Sequence, residues 1–125
     1  MGSVAEVNKS NWEQEVLESK MLTVVDFWHD RCPWCLRFNP VIDEVAEEYK
    51  GKIRVLKLNV LASPENRTLA VSHGIMGTPT LIFFCDGRPI ESVAGYMPKE
   101  RLEKTLNDVI EKHRDCVKQS TALKA

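Results

Sequence analysis

The chain has 125 residues, 43% hydrophobic and 28% charged, which suits one domain with one packed core and excludes a disordered chain. Seventeen Lys plus Arg against eighteen Asp plus Glu leave a net charge of -1, without the basic excess that nucleic acid or an anionic membrane surface requires of a partner. No apolar run approaches the ~20 residues of a membrane-spanning helix. The start Met1-Gly2-Ser3-Val4-Ala5-Glu6 lacks the basic-then-apolar order of a secretory signal, so the expected location is cytoplasmic.

Residues 4–7 read as a short edge strand. Ser10-Asn11-Trp12-Glu13 has the form of a capping box and predicts a helix from there to about residue 19. Residues 21–28, apolar and β-branched, read as a buried strand. A long helix is expected from Cys32 to Tyr49, with Val41, Val45 and Tyr49 on one face, ended by Gly51. Residues 53–60 alternate apolar and polar as a strand does. Ser63-Pro64 predicts an N-cap followed by proline at the first helical position, and that helix stops near Gly74. Residues 80–85 form a further strand, Asp86-Gly87 a tight turn, and residues 89–94 the returning strand. A last helix follows Pro98, with Leu102, Leu106, Val109 and Ile110 inward. The order β-α-β-α-β-α-β-β-α predicts an α/β fold: a central mixed sheet, parallel through its crossovers and closed by a hairpin, with helices on both faces. Residues 1–116 make one domain and 117–125 a frayed tail.

Four cysteines are too few for a disulfide-stapled secreted scaffold of this length, and only Cys32-Pro33-Trp34-Cys35 is a close pair. If Cys32 is the N-cap of the long helix, Pro33 takes the first helical position. The free amides and the positive end of the helix dipole then favour the Cys32 thiolate. Cys35, one turn inward, is shielded and suited to resolve a mixed disulfide. The rival reading is half a metal site. It lacks a second close pair, since Cys85, Cys116, His29, His73 and His113 are scattered. Cys85 and Cys116 read as ordinary small residues, the latter at the exposed end of the last helix, where intermolecular disulfides could form.

Asp26 interrupts an apolar strand six residues before Cys32. Burial should raise its pKa and fit it to take the proton of Cys35; the alternative is a structural, backbone-bonded aspartate. Lys57, on the strand expected alongside, is either its counter-charge or a lysine snorkelling to solvent. Gly77-Thr78-Pro79-Thr80 places proline at the start of a strand, with a residue before it that cannot easily be helical.

These features together resemble the thioredoxin family. The matching stretches are Val24-Val25-Asp26-Phe27-Trp28, the Cys32–Cys35 pair, Pro40, Lys57-Leu58-Asn59, Gly74-Ile75, Gly77-Thr78-Pro79-Thr80-Leu81, Asp86-Gly87 and Gly95. The resemblance implies the thioredoxin fold and a thiol–disulfide oxidoreductase that needs no cofactor or metal. It implies that Cys32 attacks a substrate disulfide and Cys35 releases the product, with Asp26 as proton acceptor through water and Lys57 tuning it. Pro79 is expected to be cis against the cysteine pair and the Thr78 backbone to pair with an extended substrate segment. Trp28 is expected beneath the site, Trp34 on its rim, Gly95 open to an apolar substrate surface, and Pro40 as a kink in the long helix. The implied partners are disulfide-containing proteins and a thioredoxin reductase or glutathione-type reductant; a monomer is expected.

The family usually has Trp-Cys-Gly-Pro-Cys where this chain has Arg31-Cys32-Pro33-Trp34-Cys35, closer to a glutaredoxin motif. Arg31 adds positive charge near the thiolate, and His29 adds more only when protonated. The expected potential is therefore less negative than the ~-270 mV of thioredoxin and nearer the ~-200 to -230 mV of glutaredoxins. The remaining alternatives are a non-catalytic binding module on the same fold and a glutaredoxin-like glutathione or iron–sulfur protein.

Overall fold

A computed structural model describes residues 4–116. The expected tail, 117–125, lies outside the described residues. Five strands form one sheet: β1 (Ala5–Val7), β2 (Thr23–Trp28), β3 (Arg54–Asn59), β4 (Thr80–Cys85) and β5 (Arg88–Ala94). Their spatial order is β1-β3-β2-β4-β5. β1 and β2 run parallel to β3, whereas β4 is antiparallel to both β2 and β5. Three helices, α1 (Pro33–Glu48), α2 (Pro64–Ser72) and α3 (Lys99–Lys112), supply the crossovers and the end of the fold. Among the described residues no helix is long and apolar enough to cross a membrane.

Alternation along the strands sorts the core into two layers. Leu22, Val24, Leu81 and Phe83 face α1 and α3, where they meet Phe38, Ile42, Val45, Leu102, Leu106 and Val109. Val25, Phe27, Leu56, Leu58, Ile82 and Phe84 face the other way and pack with Trp12, Val16, Leu69 and Ala70. The buried face of α1 is thus Cys35, Phe38, Ile42 and Val45. Val41 and Tyr49, expected on one face with Val45, sit at the margin of that buried face, half-buried. α1 is helical from end to end across Pro40.

The helix expected over 10–19 shrinks to one wide π-helical turn, Glu13–Leu17, closed by the Glu18 amide on the Glu13 carbonyl at 2.9 Å. The capping box does not form. The Ser10 hydroxyl donates instead to Asn8 Oδ1 at 2.6 Å, and Asn11 Oδ1 accepts from the Asn8 amide at 2.8 Å. These local side-chain bonds compete with helix initiation. Trp12 nevertheless reaches the core, 5.5 Å centroid to centroid from Phe84. The cap of α2 forms as expected, with the Ser63 side chain accepting from the Asn66 amide and Pro64 following it.

The β4–β5 hairpin turns on Asp86 and Gly87, with φ of 53° and 78°, the positive pair that a two-residue hairpin requires. A Cβ at Gly87 would lie 2.6 Å from the Leu17 carbonyl oxygen, so the hairpin tip closes on the wide turn only with glycine there. Pro89 sits on the edge strand, at the bulge where the β4–β5 register shifts, and so removes no needed ladder bond.

Candidate active site

Strand β2 ends at Trp28, and a short turn carries the chain into α1. The Cys32 amide donates to the His29 carbonyl at 3.3 Å, and the Arg31 amide to His29 Nδ1 at 3.2 Å. Cys32 has extended backbone at the N-cap, Pro33 follows at the first helical position, and the Cys35 amide donates to Cys32 Sγ at 3.1 Å. That is the arrangement the spacing predicts. A first-turn amide aims at the sulfur, and proline fills the position where a missing N–H costs nothing. Cys32 and Cys35 are disulfide-bonded, with Cα atoms 5.2 Å apart. Cys32 is 8% exposed and Cys35 0%, so a reagent meets Cys32 first.

The second wall comes from the start of β4. The Thr78–Pro79 bond is cis, and the Thr78 carbonyl oxygen lies 3.5 Å from Cys32 Sγ. The Gly95 amide donates to the Pro79 carbonyl at 2.8 Å, joining the end of β5 to this wall. Gly95 has φ of 100°, and a Cβ there would meet nothing within 4 Å, so its face is open. Trp34 is 52% exposed. Its ring lies 5.3 Å from Tyr96 and 5.0 Å from the Arg37 guanidinium. On the other side of Thr78 a groove of about 270 Å³ runs between His29, Leu61, Arg67, Val71 and Met76.

Behind the cysteines lies a polar cluster. Asp26 shares a sheet face with Leu22 and Val24, which is the α1 face, and it pairs in register with Lys57 on β3. Asp26 is fully buried, and neither carboxylate oxygen has a hydrogen-bonding partner among the described residues. Burial therefore raises its pKa to about 7, with Lys57 opposing the rise and Glu6 adding to it. Lys57 does not snorkel. It is 8% exposed, with Nζ 3.8 Å from Asp43 Oδ1 and 5.4 Å from the Trp28 ring centroid. Trp28 lies half-buried in this cluster and donates from Nε1 to Glu6 at 3.0 Å.

The structure thus gathers Cys32, Cys35, Thr78, Pro79, Gly95 and Trp34 around one opening and sets Asp26, Lys57 and Trp28 behind α1. Sequence reasoning missed Glu6 and Asp43, the acids flanking Lys57. It also missed Tyr96 and Met76, the latter 97% exposed. Tyr96 follows Gly95 and Met76 precedes Gly77, so adjacency to the singled-out positions was the available signal.

The expectation for the other two cysteines is corrected. Cys116 is 5% exposed rather than projecting, and it is disulfide-bonded to Cys85, with Cα atoms 6.0 Å apart. Cys85 continues the inward alternation of Leu81 and Phe83, and Cys116 continues the helical stripe of Leu102, Leu106 and Val109 seven residues on. Both therefore face the same core layer.

A dithiol pair capped on a helix start, with its outer sulfur at the mouth and a protonatable carboxylate behind it, defines a thiol–disulfide oxidoreductase. The thioredoxin family model matches residues 3–108. "Thioredoxin 1" of Nostoc sp. is 42% identical over 113 residues, covering 90% of this chain and 99% of the relative. "Thioredoxin" of Porphyra purpurea is 40% identical over 108 residues, covering 86% and 98%. "Thioredoxin M-type, chloroplastic" of Spinacia oleracea is 44% identical over 110 residues, covering 88% of this chain and 57% of the relative. The chain belongs to the thioredoxin family.

Proposed function

We propose that this oxidoreductase reduces or exchanges disulfides in other proteins, with Cys32 as nucleophile and Cys35 as resolving thiol. The observation that carries the reading is Cys32 at the helix N-cap, accepting the Cys35 amide beside the Thr78 carbonyl. The Cys32 thiolate attacks one sulfur of the substrate disulfide, that bond breaks, and one substrate thiolate leaves. Cys35 gives its proton to the Asp26 carboxylate and attacks the Cys32 sulfur, and the second substrate thiolate leaves. Two electrons pass to the substrate, and the Cys32–Cys35 disulfide forms. With a pKa of about 7, Asp26 is divided between acid and base near neutral pH, which suits a group that takes a proton and returns it.

Thr78 offers its backbone to an extended substrate segment, Gly95 leaves that segment room, and Trp34 with Tyr96 forms an apolar rim. Lys57 and Trp28 position and tune Asp26. A thioredoxin reductase or a glutathione-type reductant restores the dithiol. The protein works as a monomer in the cytoplasm, carrying electrons to protein disulfides and so contributing to redox homeostasis.

Insulin disulfide reduction with dithiothreitol tests this. The wild type should accelerate it well above background, and Cys32→Ser should fall to background. A Cys32→Ser variant as active as wild type would remove Cys32 from the nucleophile's role.

A further inference from the structure

Two disulfides occupy opposite ends of one strand. β4 begins at Thr80, beside Pro79 and the Cys32 mouth, and ends at Cys85, a span of about 17 Å for six extended residues. We propose that Cys85–Cys116 is a second redox site: a staple that the Cys32–Cys35 cycle does not turn over, and that small dithiols open by attack at Cys85. This inference does not depend on the substrates of the first site.

Three observations carry it. The sulfurs sit in the core layer that α3 shares with the sheet, among residues that pack Leu102, Leu106 and Val109 against Leu81 and Phe83. The bond joins residues 31 apart and ties the end of the last helix to a central element of the fold. Its two sulfurs differ in access. Cys116 is 5% exposed, whereas Cys85 is half-buried, and both border a surface groove of about 420 Å³ with Arg88, Ile90, Lys112 and His113, in which Cys85 is the more exposed of the two. The distance along β4 keeps the two pairs of one molecule apart. Burial keeps a bulky attacking site from either sulfur of the staple, whereas a small thiolate can enter the groove.

The chemistry balances with a dithiol as reductant. One thiolate of the reagent attacks Cys85 Sγ, the Cys85–Cys116 bond breaks, and Cys116 leaves as a thiolate and takes up a proton. The second thiol of the reagent displaces Cys85, closing a cyclic disulfide. Two electrons pass from reagent to protein, and both cysteines end as thiols. Formation is the reverse, with glutathione disulfide as the oxidant and two glutathione thiols as its product.

A reductive titration of the whole chain tests the proposal. Protein oxidised with glutathione disulfide is equilibrated with rising ratios of reduced to oxidised dithiothreitol, quenched with an alkylating reagent and mapped by peptide mass spectrometry. Cys32 and Cys35 should label first, with Cys85 and Cys116 labelling together at a ratio at least about tenfold higher. Melting temperature should fall by on the order of 10 °C as the second pair opens, since a loop of this length loses its constraint on the unfolded chain. The double variant Cys85→Ser, Cys116→Ser should melt lower by a similar amount while keeping insulin reduction within about twofold. Free thiols at 85 and 116 after oxidation, labelling that coincides with the catalytic pair, or a melting temperature that ignores the second pair would each overturn it. If the double variant does not fold, the wild-type labelling order decides alone.

Discussion

Asp26 shows how one side chain couples stability to chemistry. Its ordinary pKa of 3.8 applies to the unfolded chain, while the folded value is about 7. Between those values the folded state holds a proton that the unfolded state has released, so stability falls as pH rises through that window. The penalty is absent below the lower value and complete above the upper one. About three pKa units at ~1.36 kcal/mol each make it on the order of 4 kcal/mol. Asp26→Asn removes the titration. The variant should therefore gain stability of that order at pH 8.5 and almost none at pH 4, measured by urea unfolding at both pH values. An equal gain at the two would mean that the carboxylate is not the titrating group. The same variant should lose the part of the activity–pH profile centred near 7, because the proton acceptor for Cys35 is gone. A charge interrupting an apolar strand made Asp26 legible in the sequence. Glu6 was not, because a lone glutamate on a three-residue strand becomes informative only through its register with Lys57, which the β1–β3 pairing supplies.

Helix α1 carries the nucleophile on its first turn, so changes at that turn should read out at Cys32. Arg31 is exposed beside the capped sulfur, and its charge favours the thiolate and so the dithiol state. Equilibration with glutathione buffers should give a potential in the ~-200 to -230 mV range, and Arg31→Ala should move it to more negative values. A wild-type value at or below ~-270 mV would contradict this account of the motif. Further back on α1, Phe38 is fully buried between sheet and α3, and Phe38→Ala should lower unfolding free energy by ~3–5 kcal/mol. At α2, the Ser63 cap is worth about 1 kcal/mol, which Ser63→Ala should remove in the same unfolding assay. Ser63 and Ser10 looked alike in the sequence, each a serine before a helical pattern. They diverge because Asn8 and Asn11 offer Ser10 a closed local network, whereas the Ser63 oxygen faces the Asn66 amide. Cap motifs are therefore legible only where no neighbouring asparagine competes.

Across the molecule, element order and the mixed sheet followed from alternation and turn residues, whereas the meeting of the Cys32 turn with Thr78–Pro79 was implied only by the family resemblance. What the order left open was which strands neighbour which, and with it the acids around Lys57 and the pairing of Cys85 with Cys116. That pairing was present as periodicity: 81, 83, 85 on a strand and 102, 106, 109, 116 on a helix place both sulfurs on one layer. Considered singly, each looked like a small apolar residue. The whole arrangement sets a reactive disulfide at the mouth, a proton acceptor behind it and a second disulfide at the far end of the strand that forms the wall. Its central claim is that Cys32 attacks and Cys35 resolves. The most direct test is trapping with Cys35→Ser against a disulfide-bonded protein substrate, followed by peptide mapping. A stable mixed disulfide on Cys32, absent from Cys32→Ser, is the predicted result; a mixed disulfide on any other cysteine, or none, would contradict the account.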